Sequence, residues 1–260
     1  LLPIFESLFN RTTDITLLEL SDLNRPLLRE LAIRAPGTYT HSLIMANLSE
    51  SASEAIGANP LLSRVASYYH DIGKMIKPEY FSENQGLRGG RNPHDHLTPN
   101  MSMLIIVSHV KDGLEMAAEH GLPKSISDLI PQHHGTTVID YFYNRAVELG
   151  EENVRKDDFR YGGPKPQDKE AGILMLADSV ESAVRTLSDR TPNRVRQFVS
   201  RIVQQKFTAG ELDECELTLQ DLHRIEESFI PVLMGTLHGR VEYPWQQATK
   251  KTRRDVSNPI

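Results

Sequence analysis

The sequence predicts an all-α fold, a helical bundle that carries imidazole and carboxylate side chains into its core. Three observations point there. Apolar residues recur at offsets of three and four through most of the chain, the period of a one-sided helix. No convincing pair of alternating segments and no internal repeat appears. Residues of metal-ligand type stand far apart, each on a different predicted helix or helix end, and only a bundle brings such residues together.

The elements follow in order. A short helical lead-in precedes residues 24–33, where Leu27, Leu28, Leu31 and Ala32 form one apolar face. Pro36-Gly37 breaks that pattern, and Thr38-Tyr39-Thr40 leads into a second helix that carries His41, Leu43, Ile44 and Leu48 and ends near Ile56, with Gly57 as its C-terminal cap. A third helix opens at Asn59-Pro60, proline being suited to a first turn, and runs to His70-Asp71. Residues 82–99, rich in Gly and Pro, read as a long loop. Helices are then expected over 101–120, from Pro123 to His133-His134, over 137–149 and over 170–187. A Gly/Pro loop at 157–169 interrupts them, and two amphipathic helices at about 192–207 and 218–239 close the fold.

Composition narrows the class. The chain has 260 residues, and 39% hydrophobic against 25% charged residues is a globular balance rather than a disordered one. A net charge of −6 gives no footprint for a nucleic-acid polymer, although a metal can still supply local positive charge for a small phosphorylated ligand. The single cysteine, Cys215, excludes an internal disulfide and a zinc-thiolate site and fits a reducing compartment. No apolar run approaches the roughly 18–20 residues that span a bilayer, and no signal peptide is visible. The chain begins Leu1-Leu2-Pro3 rather than with Met, so it is read as a piece of a longer protein.

The chemistry centres on His70-Asp71. Alone, the pair is a weak signal, as is a lone His on an amphipathic helix. Its partners are His41, His109, the pair His133-His134, and Asp178, which follows the apolar run Leu174-Met175-Leu176-Ala177 where an unpaired carboxylate is costly to bury. Five imidazoles and two carboxylates suit two ions, and this donor set favours iron, manganese, nickel, cobalt or zinc over calcium or magnesium. A carboxylate bridging two cations about 3.5–4 Å apart lowers their mutual repulsion, and Asp71 is assigned that role.

The order His, His-Asp, His, His-His, Asp resembles the two-metal branch of the HD-domain metal-dependent phosphohydrolases. Longer runs sharpen the resemblance: Leu17-Leu18-Glu19-Leu20-Ser21-Asp22-Leu23-Asn24, Ala35-Pro36-Gly37-Thr38-Tyr39, Tyr69-His70-Asp71-Ile72-Gly73-Lys74-Met75, Glu83-Asn84-Gln85, Asn92-Pro93-His94, Ser108-His109-Val110-Lys111-Asp112-Gly113 and Gly163-Pro164-Lys165-Pro166. Together they look like the cytoplasmic HD domain of the seven-transmembrane HD receptors. The resemblance implies an HD-domain helical bundle over residues 17–244, a juxtamembrane lead-in over 1–16 and a flexible tail over 245–260. It also implies membrane-spanning helices upstream in a bacterial receptor, so that this part is a cytoplasmic domain of a membrane-anchored protein. Two divalent ions, iron or manganese, are expected, with phosphodiesterase activity on cyclic di-AMP to give linear pApA. Carried over residue by residue, His41, His70, Asp71 and Asp178 hold one ion, and Asp71, His109, His133 and His134 the other. The loop Gly86-Leu87-Arg88-Gly89-Gly90-Arg91 departs from the family in looking longer and more basic, which bears on access to the site.

A water shared by two divalent cations is deprotonated near neutral pH, which gives the attacking hydroxide. Lys74, next to the His-Asp pair, is assigned a catalytic and phosphate-contacting role. Arg160 and Tyr161 are read as substrate contacts, by a forked phosphate contact and by base stacking. His94 and His96 belong to the loop, and His120, His223 and His238 to the surface or to packing. Three other readings remain open: a cyclic di-GMP phosphodiesterase, disfavoured because His134-Gly135-Thr136-Thr137 lacks a Gly-Tyr-Pro signature; a nucleotide phosphohydrolase, whose simpler sites use fewer histidines; and a sensing module without turnover.

Overall fold

The computed structural model describes residues 12–85 and 92–237. They form an all-α bundle, and their one extended pairing is a single antiparallel bridge between Val138 and Arg160. The helices, in chain order, are α1 (Asp14–Leu20), α2 (Pro26–Arg34), α3 (Pro36–Ile56), α4 (Pro60–Tyr69), α5 (Ser82–Gln85), α6 (Pro99–Glu119), α7 (Lys124–Ser127), α8 (Leu129–Gln132), α9 (Asp140–Glu148), α10 (Lys169–Val184), α11 (Pro192–Thr208) and α12 (Leu219–Leu237). Short 3-10 turns at Ile72–Ile76, Pro78–Tyr80, Pro93–His96 and Lys156–Phe159 connect them.

α10 is the centre of the bundle. Every residue from Ala171 to Asp178 is buried, so the helix is enclosed on all sides rather than along one stripe. It ends its apolar run on Asp178 and thereby drives a carboxylate into the core. α3 and α4 pack beside it as a hairpin. Gly57 takes a left-handed φ of 72° to end α3, and Asn59 caps α4 by accepting from the Leu62 amide at 3.0 Å. The two helices approach through small side chains: Ser53 and Ser63 share a hydrogen bond of 2.8 Å, and Ser67 donates to Ser49 at 3.1 Å. α1 is tied on by the Tyr69 hydroxyl, which donates to the Leu20 carbonyl at 2.8 Å one residue before His70. α1 buries Leu17 and Leu20 in the main core.

Four local expectations are corrected. α3 starts at Pro36 rather than after Gly37. Ala35 offers no capping side chain, and Asn84 does the work from another segment, its Oδ1 accepting from the amides of Gly37 and Thr38 at 2.9 and 3.2 Å. Residues 82–85 and 93–96 of the expected loop are helical turns, the second begun by Asn92 accepting from the His94 amide. The helix expected from Pro123 is split into α7 and α8, because Pro131 has no N–H to continue the ladder. The helix expected over 137–149 begins only at Asp140, since the segment before it is bound elsewhere: the Ile139 amide donates to Phe159 at 2.8 Å and the Tyr161 amide to Thr137 at 3.0 Å. The first eleven residues of the expected lead-in, the 86–91 loop, His238 and the tail from 245 lie outside the described residues.

One close approach sets the geometry of the His-Asp turn. A Cβ on Gly73 would overlap the backbone carbonyl of His109 and the Gly113 amide, both on α6. Gly73→Ala must therefore push the 3-10 turn off α6. We expect a loss of about 1–3 kcal/mol, as for overpacked cores, seen as a fall of roughly 3–10 °C in Tm. An unchanged melting curve would show that the two segments have room to part.

Candidate metal centre

The bundle brings all seven sequence-predicted donors to one place. His41 comes from the second turn of α3, His70 and Asp71 from the end of α4, His109 from the middle of α6, His133 and His134 from the turn after α8, and Asp178 from α10. Two groups are tight enough to hold an ion, with donor atoms within 4.8 Å of one another: His41, His70 and Asp71, and Asp71, His109, His133 and His134. Asp178 borders both groups, its Oδ1 3.2 Å from His41 Nε2 and its Oδ2 3.6 Å from His134 Nδ1.

Asp71 is common to the two groups and divides its oxygens between them. Oδ2 lies 3.1 Å from His70 Nε2 and 3.9 Å from His41 Nε2. Oδ1 lies 3.4 Å from His109 Nε2 and 3.6 Å from His133 Nε2. That division is what a bridging carboxylate requires.

Backbone carbonyls select the imidazole tautomers. Nδ1 of His70 donates to Ser67 at 2.7 Å, that of His109 to Ile106 at 2.5 Å and that of His133 to Ile130 at 2.5 Å, each three residues back. A carbonyl can only accept, so Nδ1 keeps the proton and the Nε2 lone pair faces inward. Nε2 of His41, His70, His109 and His133 and Oδ1 of Asp71 are buried and make no well-directed hydrogen bond among the described residues. Buried polar atoms are rarely left so, and a metal ion accounts for a converging set of them. The donor set has no thiolate and suits first-row transition ions.

Electrostatics follow burial and neighbours. Burial pushes His133 down to about 3 and holds His109 and His134 below the ordinary imidazole range, so these rings are neutral donors at pH 7. At His41 burial is outweighed by Asp178 and Glu181, which carry it up to about 10. Asp71 is held well below the carboxylate range, His70 and Lys74 overcoming its burial. Asp178 is lowered likewise, against burial, chiefly by its contact with His41.

Lys74 is buried, with Nζ 2.6 Å from Asp71 Oδ2 and 3.1 Å from Glu83 Oε1. Burial disfavours its charge, but Asp71, Glu83 and Asp178 outweigh that and keep it protonated. A small cavity of about 90 Å³ opens onto His41 and Lys74 between Glu83, Ser182 and Arg185. Tyr161 stacks on His134 with ring centres 4.1 Å apart and is half-buried. Arg160, read from the sequence as a phosphate contact, is exposed and engages the protein through two of its nitrogens. Its Nε donates to Asp157 at 2.8 Å and another guanidinium nitrogen to the Thr136 carbonyl at 2.9 Å, so it braces the turn that follows His134.

Sequence reasoning passed over three acidic residues. Glu181 accepts from His41 Nδ1 at 2.5 Å; its place one turn after Asp178 on a helix was the available signal. Glu83 pairs Lys74 and accepts from the Thr38 hydroxyl at 3.1 Å. Glu211, almost fully buried, accepts from the amide and hydroxyl of Thr136 at 2.9 and 2.8 Å and pins the His-His turn from the turn that follows α11, which no local pattern reveals. Of the remaining histidines, His94 is buried and bonds the Tyr80 carbonyl at 2.9 Å, and His120 contacts its own helix at Met116.

Relatives share this arrangement of fold and sequence. The chain is 47% identical over 253 residues to the cyclic-di-AMP phosphodiesterase PgpH of Bacillus subtilis (strain 168), covering 97% of this chain and 35% of that protein. It is 45% identical over 243 residues to the PgpH of Listeria monocytogenes serotype 1/2a (strain 10403S), covering 94% of this chain and 33% of that protein. It thus spans about a third of the length of the curated relatives it matches. The crystal structure of the L. monocytogenes PgpH HD domain in complex with cyclic-di-AMP superimposes with a TM-score of 0.78 at 45% identity, over 84% of this chain and all of that one. The profile described as HD domain matches residues 38–183, a span that begins just before His41, ends just after Glu181 and takes in every one of the seven donors, and the chain belongs to the HD-domain family.

Proposed function

We propose that this chain is a metal-dependent phosphodiesterase that hydrolyses cyclic di-AMP to linear 5′-pApA. The observation that carries the reading is the two-sided engagement of Asp71, with histidine donors facing each of its oxygens. The sequence likeness to cyclic-di-AMP phosphodiesterases and the structural likeness to a domain crystallised with that nucleotide support the substrate. Iron or manganese is the proposed metal, held by His41, His70, Asp71 and Asp178 on one side and by Asp71, His109, His133 and His134 on the other. The HD unit is proposed to cover residues 17–244 and to serve as the cytoplasmic output domain of a membrane-anchored receptor. Among the described residues no helix is long and apolar enough to cross a membrane.

Two divalent ions bound by these residues would supply an activated water near neutral pH and polarise a phosphoryl group. The chain's own residues do the rest. Buried neutral imidazoles offer lone pairs without first losing a proton. Lys74, protonated and buried beside Asp71, puts a fixed positive charge where the pentavalent phosphorus gathers negative charge, and it can hand a proton to the 3′ oxygen as that oxygen leaves. Tyr161 offers a half-buried aromatic surface beside His134 for an adenine base. Arg160 holds the loop that presents Tyr161.

Incubating the protein with Mn²⁺ and each cyclic dinucleotide, with chromatographic product analysis, tests the function. Cyclic di-AMP should yield pApA, and the His70→Ala/Asp71→Ala double variant should lose both bound metal and turnover. Turnover by that variant, or turnover of cyclic di-GMP alone, contradicts the reading. Lys74→Met should keep two ions per chain yet lower kcat by about 10²-fold, the usual effect of losing one preorganised charge; unchanged kinetics would remove Lys74 from the chemistry. Tyr161→Ala should raise KM by about 10-fold or more, in line with stacking worth roughly 1–3 kcal/mol per base. A KM within error of the parent would leave Tyr161 as packing for His134.

A further inference from the structure

His41 differs from the other donors in what stands behind it. His70, His109 and His133 are each backed by a neutral carbonyl three residues back in the chain. Behind His41 is a carboxylate: Glu181 Oε2 lies 2.5 Å from Nδ1, and Glu181 is 5% exposed. A charged acceptor pulls the Nδ1 proton more strongly, makes Nε2 a better electron donor and fixes the ring plane. Glu181 is itself clamped, since one Arg185 nitrogen donates to both of its oxygens at 2.7 and 2.6 Å. Asp178, Glu181 and Arg185 follow one another at three and four residues along α10 and so share one face. A single helix turn thus delivers a donor carboxylate, a carboxylate behind a donor imidazole and the arginine that holds it.

Charge is distributed unequally as a result. The side formed by His41, His70, Asp71 and Asp178 has two carboxylates within reach and Glu181 behind His41, with Lys74 on Asp71 Oδ2 and Arg185 on Glu181 as the facing cations. The side formed by Asp71, His109, His133 and His134 has Asp71, three imidazoles and the more distant Asp178 Oδ2, 3.6 Å from His134 Nδ1, and no carboxylate stands behind its rings at His109 and His133.

We propose that Glu181 is a positioning residue that makes the His41 side the tight ion site and leaves the His109 side the exchangeable one. The inference rests on the two-ion reading above. Calorimetric titration of the metal-free protein with Mn²⁺ separates the two claims. The parent protein should bind two ions in two steps of unequal affinity; binding of fewer than two overturns the two-ion reading, and two equal steps overturn the asymmetry alone. Glu181→Gln keeps shape and hydrogen-bonding capacity and removes only the charge. It should weaken the tight step by about 10–100-fold and leave the weak step and the Tm of the metal-free protein unchanged. Arg185→Met, which leaves the carboxylate but frees it to turn, should weaken the same step to a smaller degree. Unaltered affinities in Glu181→Gln, or equal loss at both steps, would overturn the role.

Discussion

A carboxylate that is 1% exposed is the constraint around which this molecule is arranged. Burying an ionised Asp71 without compensation costs far more than a domain can spare. Around it stand His70 and His41 toward one oxygen and His109 and His133 toward the other, and the Lys74 ammonium at 2.6 Å supplies a compensating charge. Because His70, His109 and His133 turn lone pairs rather than protons inward, these rings do not by themselves neutralise the carboxylate. Divalent ions held there would do so and would tie the stability of the core to the occupancy of the centre.

The scaffold can be understood as a set of devices that hold this constraint in position. Gly73 lets the turn after Asp71 lie directly on the α6 backbone beside His109. Asn84 caps the helix that carries His41 and so couples the position of that ring to the segment that supplies Glu83 to Lys74. Glu211 and Arg160 brace the His133-His134 turn from two separate segments. The enclosed helix α10 places Asp178 and Glu181 one turn apart. Apart from Asp178 and Lys74, these groups stand behind the donors, and each limits how far a donor can stray; polarisation of a bound group tolerates little displacement.

Much of this was legible in the sequence for a specific reason. The donors are residue types that are expensive in a helical core, so their apolar surroundings, as at Leu174-Met175-Leu176-Ala177-Asp178, mark them out. Helix period located the elements, and the cap at Gly57 and the start at Pro60 followed from φ preference alone. What escaped was whatever depends on a distant partner. The start of α3 at Pro36 requires Asn84, and the late start of α9 requires the 159–161 segment. The hold of Arg160 on Asp157 and Thr136 likewise depends on segments that the local sequence does not reveal. Glu181 was readable in principle from its spacing to Asp178, whereas Glu211 was not, because 75 residues separate it from Thr136.

The central claim is that Asp71 is shared by two ions at close range. Electron paramagnetic resonance of the protein titrated with Mn²⁺ reads this directly. A bridged pair about 3.5–4 Å apart couples magnetically, so the second equivalent should replace the isolated six-line spectrum with an exchange-coupled one. Two equivalents that simply add two uncoupled six-line spectra would place the ions apart and contradict a bridging Asp71.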